Sequence, residues 1–178
     1  MIETKRLLLR LMTHNDLKAI TRLFTDKNVL NAFNITALNG EQIKNWLNRN
    51  LKHQKKYGYG LFSVVLKTSN EVIGDCGLEH TVFRGTPCVE IGYDLLSKYW
   101  NQGYATEAAS AVRDFAIQVL KIDSNSLCCF IRKNNVASRR VSEKIGMQKI
   151  LEYSQNCTDY VLYAYSKNLG RQTVTSNL

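Results

Sequence analysis

The sequence predicts an α/β protein: one mixed sheet of about six or seven strands with helices on both faces. Three observations carry that expectation. Strand-like apolar runs interchange with helix-period segments in the order β-α-α-β-β-β-α-β-α-β-β. One proline and ten glycines in 178 residues leave no Pro/Gly-rich linker, so a single domain is expected over residues 1–169, with a polar tail at 170–178. A long helical segment has small alanines near its start, where it would lie close against a sheet.

Each element has a local reason. Residues 6–12 read as the first strand. Thr13, with Asp16 three positions on, offers a capping box, and Leu17, Ile20, Leu23 and Phe24 follow at helical spacing. Asn39 with Gln42 starts a second helix to about residue 54, whose apolar face is Ile43, Trp46, Leu47 and Leu51. Lys52, Lys55 and Lys56 suit the negative end of its dipole. Residues 60–66 and 72–78 form a hairpin around Thr68-Ser69-Asn70. Residues 88–96 make another strand, in which Gly92 suggests a bulge or a close backbone approach. A helix over 104–120 buries Ala105, Ala108, Ala109, Val112, Phe115, Ala116 and Val119. Residues 127–131 form a strand, 135–145 a helix stopped by Gly146, and 150–153 and 160–165 the last two strands.

Composition excludes several classes. No uncharged run approaches the ~20 residues needed to cross a bilayer, so no membrane partner is expected. The first residues lack a signal-peptide pattern, and five cysteines without Cys-x-x-Cys argue for reduced thiols; both favour the cytoplasm. His14, His53 and His80 are scattered, so no metal site is expected. Lys and Arg exceed Asp and Glu by 24 to 15, a net charge of +9 that suits either an anionic partner or a solvated basic surface. The lysines are not interleaved with aromatics in one patch, which argues against nucleic acid.

Two segments carry chemistry. In the first, Glu90-Ile91-Gly92-Tyr93-Asp94-Leu95-Leu96 is followed by Trp100-Asn101-Gln102-Gly103-Tyr104-Ala105-Thr106-Glu107-Ala108. A strand, a glycine loop and a helix start present unpaired N–H groups and positive potential, which suits a pyrophosphate; a plain strand-to-helix turn is the alternative. The loop is neither a P-loop nor a three-glycine dinucleotide fingerprint. In the second, Asn135 and Ser138 open a helix that continues to Glu143-Lys144-Ile145-Gly146. Capping accounts for Asn135 and less well for Ser138.

Together with the opening Ile2-Glu3-Thr4-Lys5-Arg6-Leu7-Leu8-Leu9-Arg10, these pieces resemble the GNAT superfamily of acetyl-CoA-dependent N-acetyltransferases. The pattern is similar to its ribosomal-protein N-acetyltransferase (RimJ/RimL-like) branch over residues 2–165. Trp100, Ala105 and Met147 depart from the broader family pattern without disturbing backbone pyrophosphate contacts.

The resemblance implies a GNAT fold and acetyl-CoA as co-substrate. It implies cofactor contacts from Asp94, Leu95, Leu96, Gln102, Gly103, Tyr104, Ala105, Thr106 and Asn135, with the strand holding Glu90 splayed from its neighbour. Glu90 corresponds to a general base acting through water, against a purely structural polar role; Asp94, Glu79 and His80 are alternative bases. Ser138 corresponds to an acid for the leaving thiolate, against a role in positioning only. Arg139, Arg140 and Lys144 fit the phosphate end of the cofactor or a solvated helix face.

The resemblance implies an amine acceptor, either a protein N-terminus, such as that of a ribosomal protein, or a small molecule. Its pocket would be lined by residues 33–58 and 153–160. A non-catalytic acyl-CoA-binding module and a basic ribosome- or RNA-associated protein are the competing readings. Monomer and homodimer are both compatible with the sequence.

Overall fold

The structure is a computed structural model that describes residues 1–167 and Leu169; the tail expected at 170–178 lies outside the described residues. The elements run β1 (Ile2–Glu3), β2 (Leu7–Leu11), α1 (Leu17–Leu23), α2 (Lys27–Phe33), α3 (Gly40–Tyr57), β3 (Leu61–Leu66), β4 (Glu71–Phe83), β5 (Thr86–Leu95), α4 (Tyr104–Gln118), β6 (Leu127–Arg132), α5 (Val136–Lys144), β7 (Gln148–Gln155) and β8 (Thr158–Ala164). One eight-stranded sheet has the order β1-β2-β3-β4-β5-β6-β8-β7. Every pairing is antiparallel except β5 with β6.

Helices cover both faces. Alternation along β3 sends Phe62, Val64 and Leu66 to one side, where they pack with Ala108, Ala109, Val112 and Ala116 of α4. Leu61 points the other way and packs with Ile20 of α1, with Phe24 just after it, and with Ile43 and Leu47 of α3. Ala108, Ala109 and Ala116 of α4 are fully buried, as a close helix-on-sheet contact requires. Asn39 and Gln42 close the expected capping box at the start of α3.

The structure corrects several local expectations. The sheet has eight strands rather than six or seven, because Ile2–Glu3 adds a short edge strand on β2. A helix absent from the expected order, α2, lies between the first two. Asp26 caps it through the Asn28 and Val29 N–H groups, and only seven residues rich in asparagine follow, too short a stretch for periodicity to stand out. The helix expected after Thr13 opens with a 3-10 turn, His14–Asp16.

The hairpin of β4 and β5 is longer than the expected 72–78 and 88–96. Glu79, His80 and Thr81 look like loop residues locally, yet each pairs across to β5. Arg84 and Gly85 form the turn, both with positive φ, as a two-residue hairpin requires. Gly92 is neither a bulge nor a close approach. Its register with Gly77 is unbroken, and a Cβ there would touch Leu61 Cδ2 at an ordinary 3.6 Å. The close approach is at Gly77, where a Cβ would collide with the Gly60 carbonyl oxygen.

Candidate active site

Between β5 and β6 the sheet opens. These strands pair only at Val89 with Leu127 and Glu90 with Cys128, and then diverge. Leu96 N–H bonds to Ile73 O at 2.9 Å across β4 and β5. Antiparallel alternation then commits the backbone of Glu90, Gly92 and Asp94 to β4 and turns that of Ile91, Tyr93 and Leu95 toward the gap. Two of these carbonyls are taken: Ile91 O accepts from the Cys129 thiol at 3.1 Å, and Leu95 O from the Trp100 indole at 2.7 Å. The Tyr93 backbone is the edge facing the gap, a position the sequence reading did not single out.

A cleft of about 340 Å³ runs from this edge to the start of α4. Gly103 precedes the helix at φ +80°, and no side chain caps it. The N–H groups of residues 104–106 therefore have no helical acceptor and meet the positive end of the dipole. The loop is fastened from the far end of the chain. Arg6 Nη1 donates to Gln102 O at 2.9 Å, its Nε pairs with Glu107 at 2.6 Å, and its guanidinium lies 4.2 Å from the Tyr104 ring centre. Thr4 Oγ1 also donates to Glu107 at 2.6 Å. The opening segment and the Gly103 segment, about a hundred residues apart in the chain, are thus two halves of one clamp.

Asp94, Leu95, Gly103, Tyr104, Ala105, Thr106, Asn135 and Ser138 line this cleft. Gln102 and Leu96 do not. Gln102 bonds to the Lys98 carbonyl, and Leu96 packs against Leu23 and Val29 on the other side of β5. Arg140 and Lys144, one turn apart on α5, line its outer wall, whereas Arg139 bonds to the Tyr163 hydroxyl. Asn135 caps α5 by accepting from Ser138 N–H at 3.1 Å. Tyr93 Oη donates to Ser138 O at 2.7 Å, holding α5 against β5.

A second cleft of about 300 Å³ meets the first at Phe33, Tyr93, Asp94, Asn135 and Ser138. Trp46, Leu61 and Tyr160 wall it, and Asp75, Glu79, Glu90 and Asp94 supply carboxylates. Burial raises the Glu90 pKa to about 8, reinforced by the neighbouring carboxylates of Glu79 and Asp94, while the Phe130 backbone N–H pulls it down. Burial, then the Glu79 charge, raises Asp94 to about 7. Burial pushes the Cys129 thiol up to about 12, so it stays protonated and is no nucleophile. Phe33, Trp46 and Tyr160 fall in the segments expected to line an acceptor pocket. His80 does not line the cleft; its backbone N–H donates to His53 Nε2. Among the described residues no group of three or more His, Cys, Asp or Glu is arranged to hold a metal ion, and no helix is long and apolar enough to cross a membrane. All five cysteines are free, four of them buried.

Comparison with known proteins agrees with this geometry. Residues 6–148 match the family described as Acetyltransferase (GNAT) domain. The chain is 32% identical over 145 residues to the uncharacterized protein YkkB of Bacillus subtilis (strain 168), covering 81% of this chain and 83% of that one. It is 31% identical over 151 residues to the uncharacterized N-acetyltransferase YnaD of the same organism, covering 83% and 82%. A solved GNAT-family acetyltransferase from Bacillus anthracis superposes with a TM-score of 0.78 at 25% identity, covering 94% of this chain and 98% of that one.

Proposed function

The chain belongs to the GNAT acetyltransferase family, and from that premise we propose that it transfers an acetyl group from acetyl-CoA to a primary amine by direct attack. One observation carries the proposal: a cleft lined by helix-start N–H groups opens, at Asp94 and Ser138, onto a cleft lined by carboxylates. The first suits a pyrophosphate with a pantetheine arm, and the second an ammonium group.

The pyrophosphate would rest on the N–H groups of residues 104–106, with Gly103 leaving room for it. The Tyr93 backbone and Asn135 would bond the pantetheine arm, and Arg140 and Lys144 would face the remaining phosphate. The side chain of Asp94 reaches the junction of the clefts, although its backbone is committed to β4. Glu90, ionised near its raised pKa, takes a proton from the acceptor ammonium through a water, leaving a neutral amine to attack the thioester carbon. An N–C bond forms, the C–S bond breaks, Ser138 gives a proton to the departing sulfur, and the proton that the new amide nitrogen loses restores the Ser138 hydroxyl. No covalent enzyme adduct is required.

The acceptor belongs to a class with an exposed primary amine. The similarity of the sequence motifs to the ribosomal-protein branch keeps a protein N-terminus among the candidates. Incubation with acetyl-CoA and a panel of peptides and small amines, followed by mass spectrometry and release of free thiol, tests the proposal. An acceptor gaining one acetyl group with stoichiometric coenzyme A release is expected. Tight acetyl-CoA binding without turnover of any amine would instead identify a binding module.

A further inference from the structure

The acetyl-transfer mechanism uses one carboxylate of the second cleft, yet four line it. The register places Asp75 opposite Asp94, Gly77 opposite Gly92 and Glu79 opposite Glu90. Alternate residues share a face, so two acidic pairs lie on one side of the sheet with a glycine pair between them. The segments read Asp75-Cys76-Gly77-Leu78-Glu79 and Glu90-Ile91-Gly92-Tyr93-Asp94, mirror images that antiparallel pairing superposes. Like charges directly opposite in a ladder are destabilising, and this fold has two such pairs in succession.

Asp75 makes the point independently. It is completely buried, and among the described residues neither carboxylate oxygen has a hydrogen-bond partner. Ser63, its neighbour on β3, is equally buried, and its hydroxyl oxygen is also unpartnered. Asp16 shows what the fold does with a buried carboxylate it uses structurally: Arg10 grips it with two hydrogen bonds of 2.6 and 2.9 Å. Among the described residues no such cation is supplied to Asp75, and Arg132 is the one basic side chain among those lining the cleft. A buried, unpaired acid facing a cleft costs folding energy that a cationic ligand would offset.

The shape specifies the cation further. Asp75 and Glu79 are four residues apart on β4, roughly 13 Å along a strand. The carboxylates are thus strung out, not gathered around a point as a metal ion needs. Phe33, Trp46, Leu61 and Tyr160 supply apolar wall to the same cleft, suited to methylene segments and to cation–π contact.

We infer that the acceptor is an elongated di- or polyamine, with one amine presented to Glu90 and a second, non-reacting ammonium held by Asp75. This rests on the acetyl-transfer reading for the reacting end only; the cation site stands on its own geometry. Glu79 adds acidic charge opposite Glu90 at the reacting end, Asp94 adds it opposite Asp75, and Gly92 lines the cleft between the two pairs without a side chain.

The experiment compares butylamine, putrescine and spermidine, which differ in the number of amines. In steady-state acetylation, wild type is expected to favour putrescine and spermidine over butylamine at least tenfold in kcat/KM. In Asp75→Asn that ratio should fall toward one, mainly through a higher KM for the diamine and polyamine. Glu79→Gln, at a half-buried position, should lower it in the same direction by a smaller factor. In parallel, calorimetric titration of spermidine onto the protein with coenzyme A should show binding at least tenfold weaker in Asp75→Asn, with thermal melts verifying that the variant is folded.

A wild type indifferent to the second amine, or an Asp75→Asn variant that keeps the preference, overturns the inference and leaves acetyl transfer standing. Spermidine binding that depends on Asp75 without acetylation of any amine preserves the cation site and removes the acetyl-transfer reading. No spermidine binding to wild type, or its full displacement by magnesium chloride at matched ionic strength, overturns the cation site itself.

Discussion

The two walls of the site are built differently. The proposed cofactor wall draws most of its residues from one stretch, 93–106, and most of the rest from the start and face of α5, and its chemistry is backbone N–H groups at the start of α4. The proposed acceptor wall is assembled from α2, α3, β3, β4, β5, β6, the start of α5 and β8, and its chemistry is side-chain charge. A backbone site depends on φ angles and helix direction, so it tolerates many side chains but few changes at Gly103. A charged site depends on which carboxylates lie opposite one another and which lack a partner. The first should therefore fail by losing a conformation and the second by losing a charge.

The largest effect tests the backbone wall. Gly103→Asp places a carboxylate where the pyrophosphate would lie, at φ +80° and with its Cβ 3.4 Å from the Arg6 guanidinium. Aspartate tolerates the left-handed region better than most residues, and the conformation costs roughly 1–2 kcal/mol. The variant should fold and lose acetyl-CoA binding in calorimetry. Wild-type affinity in a folded Gly103→Asp would dissolve the contrast between the walls.

Next comes the charged wall. Glu90→Gln should retain acetyl-CoA affinity and lower kcat about 10²-fold or more, the usual scale for general acid–base help. The sign of its pH dependence is fixed: the base must be ionised, so wild-type kcat/KM should rise with pH and inflect near the raised pKa of about 8. The Gln variant should lack that inflection. Equal rates across the range would move the base to Asp94, at the junction of both clefts.

The smallest effect lies where the walls meet. If Ser138 gives its proton to the departing sulfur, Ser138→Ala should lower kcat about tenfold with little change in KM for acetyl-CoA. If it only positions the pantetheine arm, the loss should appear as higher KM, within the roughly 2- to 13-fold worth of one neutral hydrogen bond. A wild-type kcat, measured where chemistry limits the rate, would reduce Ser138 to the backbone roles it has with Asn135 and Tyr93.

What the sequence by itself determined is what short-range physics encodes. The capping box of Asn39 and Gln42, the alanine stripe of α4, the glycine loop before it and the start of α5 at Asn135 depend on neighbours within a turn or two. So did part of the first cleft: Gly103, Ala105 and Thr106 were legible as a helix start, and they line it. Helix α2 was partly legible, in Asp26 followed by Val29, Leu30 and Phe33, but seven residues give too little periodicity to separate it from a loop.

Tertiary structure decided the rest, because it turned on pairing between distant residues. Glu79 and His80 became strand residues only through their partners Glu90 and Val89. Which backbone groups face the gap followed from the register of β4 on β5, which turned Tyr93 toward it and Asp94 away. Glu107 became the anchor of the loop because Thr4 and Arg6 come to it from the other end of the chain. Asp75 reads as an ordinary acid in the sequence. Only three-dimensional burial, with no cation among the described residues brought to meet it, makes it the least satisfied carboxyl group in the cleft, since desolvation and partnering are properties of the assembled neighbourhood and not of the residue.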